Sequence, residues 1–106
     1  MEDNAGKDER KGRMFFPFDI FSLKDKVIIV TGSTSGIGQA IVERAVAEGA
    51  RVLIHGIDQA AGEKLALALG SAAKFLWADL LDPASPAQII AAAVQAFGRI
   101  DALVNN

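Results

Sequence analysis

Apolar and polar positions along the chain follow two rhythms. Val27–Thr31 (VIIVT), Arg51–His55 (RVLIH), Lys74–Ala78 (KFLWA) and Asp101–Asn105 (DALVN) are short, mostly apolar runs. The first two predict buried strands, as in a parallel sheet, and the other two predict further strands. Between them apolar residues recur at helical spacing. Ile37, Ala40, Ile41 and Ala45 predict a helix from about Gly36 to Glu48, with Gln39, Glu43 and Glu48 facing water. Leu65 and Leu69 stand one turn apart in a second helix, capped by Asp58. Ile89, Ile90, Ala93, Val94 and Phe97 form the stripe of a third. Its start, Ser85-Pro86-Ala87-Gln88, has the form of a capping box with proline at the first helical position. Gly49, Gly70 and Gly98 follow the three helices as stop signals. The order β-α-β-α-β-α-β with short connections predicts an α/β fold, a doubly wound parallel sheet with right-handed crossovers.

Charge is crowded ahead of this pattern. Residues 1–17 read as a separate charged and aromatic tail, solvated and mostly disordered as far as Arg13, and residues 18–106 as the domain. Met14 is a second candidate start. Phe15, Phe16, Phe18 and Phe21 are expected to pack back onto the domain body, with a partner or membrane-surface contact as the alternative.

Composition then narrows the classes. A chain of 106 residues has room for one small domain. With 51% hydrophobic residues and a mean hydropathy of +0.28, it has enough apolar surface for a packed core. A net charge of −2 and a pI near 5.3 argue against general nucleic-acid binding. There is no cysteine, which excludes disulfides and thiol catalysis, and the single histidine excludes a multi-histidine metal site. No apolar run reaches the ~18 residues of a membrane span, so the expectation is a cytoplasmic protein without membrane contact.

The segment Thr31-Gly32-Ser33-Thr34-Ser35-Gly36-Ile37-Gly38 carries the chemistry. It lies between a predicted strand and a predicted helix, where unused backbone N–H groups and the positive dipole end can meet a phosphate. Gly32 permits a tight turn, Gly36 lets an anion approach the backbone, and Gly38 lets the helix sit close to the sheet. Ser33, Thr34 and Ser35 add hydroxyl donors. Gln39 follows Gly38 and no Gly-Lys-Ser/Thr occurs, which argues against a P-loop and nucleoside triphosphate hydrolysis.

Thr-Gly-x-x-x-Gly-Ile-Gly after a VIIV strand resembles the cofactor loop of the short-chain dehydrogenase/reductase family. Asp79-Leu80 after the third strand, the segment Gly98–Asn106 (GRIDALVNN) and the lead-in Phe18–Lys26 agree with it. The resemblance runs from Phe18 to Asn106 and implies the N-terminal part of a doubly wound Rossmann fold. It implies that Gly32, Ser33, Ser35, Gly36, Ile37 and Gly38 surround the ribose and pyrophosphate of NAD or NADP. Asp79 is then expected to accept a hydrogen bond from the adenine amino group, with the Leu80 backbone nearby. Asn105 would lie near the adenosine ribose, and Asn106 would tie the fourth strand to its neighbours.

The choice between NAD and NADP stays open. Where NAD-preferring members of the family place an acidic residue stands Gly56. The next position is Ile57 rather than arginine, and Ser35 is not basic. Asp58 lies two residues beyond Gly56 and reads as a helix cap. His55 reads as a buried, packed histidine. The resemblance further implies hydride transfer between nicotinamide and a small alcohol or carbonyl substrate. The family's acid/base pair is Tyr-x-x-x-Lys, assisted by a serine and an asparagine. The chain contains no tyrosine, so no catalytic residue is assigned. The expectation is the N-terminal portion of such an oxidoreductase, whose whole form is a homo-oligomer. The alternatives are a catalytically inactive nucleotide-binding module and a non-functional truncated product. Leu103 and Val104 are expected on an open sheet edge.

Overall fold

The computed structural model describes residues 22–106 and, as backbone, residues 7–8 and 13–14. In the N-terminal segment β1 (Lys7–Asp8) pairs antiparallel with β2 (Arg13–Met14). Phe15, Phe16, Phe18 and Phe21, whose packing the sequence left as an expectation, lie outside the described residues.

The main body alternates strand and helix: β3 (Val27–Val30), α1 (Gly36–Ala47), β4 (Arg51–Gly56), α2 (Gln59–Leu69), β5 (Ala73–Trp77), α3 (Ser85–Phe97) and β6 (Ala102–Val104). The strands form one parallel sheet in the order β5-β4-β3-β6. This is a Rossmann-like order: the chain winds outward from β3 in one direction, then returns to β3's other side with β6.

Strand alternation assigns the two faces. Ile28, Val30, Val52 and Ile54 pack with Val42 and Ala45 of α1 and Leu65 of α2. Ile29 and Leu53 point the other way, against Ala78 and Ile89 and Ala93 of α3. Val27, Ile28, Ile29 and Val30 are all buried because β3 is covered on both faces. Burying Ile29 completely stabilises the fold by about 1.5–3 kcal/mol. β6 pairs with β3 alone among the described strands, and Leu103 is 56% exposed.

Glycines set two helix contacts. A Cβ on Gly62 of α2 would stand 2.1 Å from the Phe75 ring, so this helix rests directly on that ring. A Cβ on Gly38 of α1 would stand 2.4 Å from the Gly32 carbonyl oxygen and 2.8 Å from Ser33 Cα. These are backbone atoms, which cannot swing aside.

Three local expectations are corrected. Ser85 does not cap α3: the helix is capped by Ala84 without a side-chain bond, and Ser85 Oγ donates to the Asp82 carbonyl at 2.9 Å. Pro86 is therefore the second helical residue. The tight turn Asp82–Ser85 draws the hydroxyl backwards, away from the Gln88 amide, which donates to the Ala84 carbonyl instead. Ile37 is 74% exposed, and Gly38, Val42 and Ala45 form the buried stripe of α1. The side chain of Glu48 is only 8% exposed and accepts from Arg44 at 3.0 Å rather than facing open water.

At the N-terminal ends of the strands, Asp101 clasps β3. Its Oδ2 accepts from the Val27 amide at 2.8 Å, its Oδ1 from Arg99 at 2.6 Å, and its own amide donates to the Val27 carbonyl. The Val27 amide bond, then Arg99, holds its carboxyl below the usual carboxylate range.

Candidate functional site

The predicted site residues gather at the C-terminal ends of the strands, where α/β sheets bind ligands at the point of reversed winding. Thr31 through Ser35 turn the chain from β3 into α1. Gly32 and Gly36 both have φ of +60°, the left-handed region that glycine adopts without strain. Ser35 is extended and makes no side-chain cap bond to α1, and the first turn of that helix holds no acidic residue. The helix end therefore keeps its positive potential for an external anion. A Cβ at Gly36 would meet nothing within 4 Å among the described residues, so the backbone there is open to approach.

Each predicted residue has a definite place. Ser33 is fully buried, and its Oγ donates to the Val30 carbonyl at 2.7 Å and accepts from the His55 amide at 3.1 Å. It therefore shapes the turn from beneath. Ser35 and Ile37 are exposed on the turn's outer side, and Gly38 is buried under it. Thr31 Oγ1 bonds Asn105 Oδ1 at 3.2 Å and accepts from the Asn106 amide at 3.1 Å. Asn106 Nδ2 donates to the Gly32 carbonyl at 2.9 Å. Asn105 and Asn106 thus fasten the end of β6 to the start of the glycine turn.

On the other flank, Asp79 is exposed and its Oδ1 accepts from the Leu81 amide at 2.9 Å, folding the turn after β5. Leu80 is 52% exposed beside it. Trp77 at the end of β5 and Ile57 just after β4 are also exposed, and the Trp77 indole donates to the Ile57 carbonyl at 3.0 Å. Ile57, Trp77 and Leu80 are thus exposed apolar residues just at or beyond the C-terminal ends of β4 and β5, and Asp79 adjoins Leu80 in the chain.

Two features were not legible as site features in the sequence. His55 is 2% exposed, in keeping with the packed reading, yet it is also a hydrogen-bond hub. Its Nδ1 accepts from the Gly32 amide at 3.1 Å and its Nε2 lies 2.8 Å from the Ala78 carbonyl. The only signal was a polar residue at the end of an otherwise apolar strand. The second is Thr34: a Cβ on Gly56 would stand 2.6 Å from its methyl group and 3.1 Å from its hydroxyl. Thr34 fills the place of any side chain at position 56. Asp58 caps α2 as expected, accepting from the Ala61 amide at 3.0 Å. Among the described residues there is no group of three or more potential metal-ligating His, Cys, Asp or Glu side chains. Among them, too, no helix is long and apolar enough to cross a membrane.

Comparison with known proteins agrees with this geometry. A family model described as short chain dehydrogenase matches residues 26–106. L-rhamnose 1-dehydrogenase (NAD(P)(+)) of Azotobacter vinelandii is 43% identical over 91 residues, covering 79% of this chain and 36% of that protein. Galactitol 2-dehydrogenase of Agrobacterium fabrum is 42% identical over 84 residues, covering 79% of this chain and 33% of that protein. Among solved structures, 3-ketoacyl-(acyl-carrier-protein) reductase from Brucella melitensis, complexed with NADH, superposes with a TM-score of 0.75 at 36% identity. The match covers 77% of this chain and 34% of that one. The chain thus spans about a third of the length of these relatives.

Proposed function

The chain belongs to the short-chain dehydrogenase family, and from that premise we propose that it forms the adenosine-binding half of an NAD(P)-dependent oxidoreductase. The observation that carries this reading is the open, uncapped N-terminus of α1 under Gly32 and Gly36, with no acidic residue in its first turn. A pyrophosphate fits there: the amide dipoles of α1 attract it and neither glycine puts a Cβ in its way. The names of the relatives, which include NAD(P)(+) and NADH, support a nicotinamide dinucleotide as the ligand.

In this reading Gly32, Ser35, Gly36, Ile37 and Gly38 border the pyrophosphate and ribose. Ser33 holds the turn's shape, Asn105 adjoins the adenosine ribose, and Asp79 and Leu80 take the adenine ring. Gly56 and Thr34 together leave no carboxylate where a 2′-phosphate would be repelled, so NAD and NADP are both admitted. The bound nicotinamide supplies or takes up a hydride. What this chain's residues contribute is binding, orientation and the charge complement of the phosphates. For the whole protein the proposed reaction interconverts a small alcohol and its carbonyl compound, in a homo-oligomer.

Trp77, the only tryptophan, supplies the test because it stands two residues before Asp79. Titration with NAD, NADP and ADP-ribose is expected to quench its fluorescence saturably, and ADP-ribose alone is expected to suffice. An emission maximum near that of free tryptophan, unmoved by all three, overturns the proposal.

A further inference from the structure

One side chain joins the two flanks of the crevice. His55 stands on β4 between the glycine turn and the loop after β5. Its imidazole accepts from the Gly32 amide at 3.1 Å and lies 2.8 Å from the carbonyl of Ala78, the residue before Asp79. Its backbone reinforces the first link, since the Ser33 amide donates to the His55 carbonyl at 2.8 Å. An amide only donates and a carbonyl only accepts. The two contacts therefore require a neutral ring with its proton on Nε2. We infer that His55 is a positioning residue whose neutral imidazole locks the glycine turn to the β5 loop. Protonation releases that lock, so nucleotide affinity falls in acid while the sheet stays folded. The affinity part rests on the nucleotide reading above; the lock itself does not.

The reason lies in donor and acceptor counts. A second proton would sit on Nδ1, facing the Gly32 N–H, and an attractive contact would become donor against donor. Among the described residues, no acid stands ready to compensate on the elements around the ring. β3, β6, α3 and the glycine turn carry no titratable side chain. In the loop after β5, the carboxylates of Asp79 and Asp82 accept from the amides of Leu81 and Ala84. On the strands themselves, Arg51 opens β4 at its opposite end and Lys74 pairs in register with Leu53. Helices α1 and α2, with Glu43, Arg44, Asp58, Glu63 and Lys64, pack through the other set of β4 side chains, Val52 and Ile54. The sheet ladder uses backbone groups alone, so it survives the change.

His55 is the only histidine and Trp77 the only tryptophan, so each gives one unambiguous signal. The experiment takes the 106-residue chain from pH 8 to pH 5. Imidazole nitrogen NMR reads the tautomer, amide shifts read Gly32, Trp77 fluorescence reads NAD affinity, and far-ultraviolet circular dichroism reads the fold. The expected result is the Nε2–H tautomer at pH 8, a Gly32 amide that titrates with the ring, and unchanged dichroism. NAD affinity should fall about tenfold, the scale of one lost hydrogen bond.

Two variants separate the bonds. His55→Asn keeps an acceptor near Nδ1, gives up the Ala78 bond and does not titrate, so its affinity should be lowered and flat with pH. His55→Gln gives up the Gly32 bond, so its affinity should be low at every pH. An Nδ1–H tautomer, a Gly32 amide indifferent to the ring, or an Asn variant with the wild-type pH profile overturns the inference. A chain in which ring and Gly32 titrate together but no NAD binds at any pH upholds the lock. That outcome overturns the nucleotide reading and the affinity claim with it.

Discussion

At the N-terminal ends of β3 and β6, polar side chains close on the protein itself. Asp101 takes the Val27 amide and the Arg99 guanidinium, and Glu48 takes Arg44. At the C-terminal ends the arrangement differs. The first turn of α1 has no capping side chain, two glycines hold left-handed backbone, and Ile37, Ile57, Trp77 and Leu80 stand exposed. The same sheet thus ends in a self-satisfied rim on one side, and on the other in one that leaves the N-terminus of α1 uncapped and apolar side chains exposed. The difference follows from parallel strands: each helix begins just beyond a strand's C-terminal end, so the positive helix ends collect there.

The largest expected effect comes from filling the closest backbone approach at the open end. Gly38→Val should abolish nucleotide binding and cost about 1–3 kcal/mol of stability, because its Cβ meets the Gly32 carbonyl oxygen at 2.4 Å. Urea unfolding read beside NAD titration checks both. A variant that binds normally would break the assignment of this end to ligand.

The matching test at the closed end is Asp101→Asn. Its carboxyl lies below the usual range when folded, mainly through the Val27 amide bond. The stabilisation is therefore complete above the unfolded value of about 3.9 and is lost as pH falls through the folded value. The variant should lower the urea midpoint at pH 7 and flatten the acid limb of the stability curve. Nucleotide affinity should not move, and a change in affinity would blur the division between the ends.

Asp58→Ala probes a structural residue placed at the open end. Loss of its bond to the Ala61 amide should cost about 1 kcal/mol in urea unfolding. NAD affinity should stay within about twofold, which distinguishes a helix cap from a ribose ligand. Smallest of all, Arg44→Ala removes a pair whose arginine is 66% exposed, and should shift stability by about 0.2–1 kcal/mol. Added salt should shrink that difference.

The sequence by itself determined the element order, the parallel sheet and the turn that meets α1. These depend on local rhythm and on glycine's backbone freedom, both written in neighbouring residues: VIIV, then glycines at 32, 36 and 38. It also indicated that Asp58 caps a helix and that His55 is buried. Its reading of Ser85 as a cap failed because the Asp82 turn offered the hydroxyl a nearer acceptor. Its placing of Ile37 in the α1 stripe failed because the close approach at Gly38 sets the helix's rotation, leaving Ile37 74% exposed. What only the tertiary structure decided were contacts between residues far apart in the chain: Asp101 on Val27, Asn106 on Gly32, Thr34 over Gly56, and His55 between Gly32 and Ala78. A side chain's partner across the sheet depends on register and on which strands become neighbours. Those are settled when all four strands pack together, and no single segment encodes them.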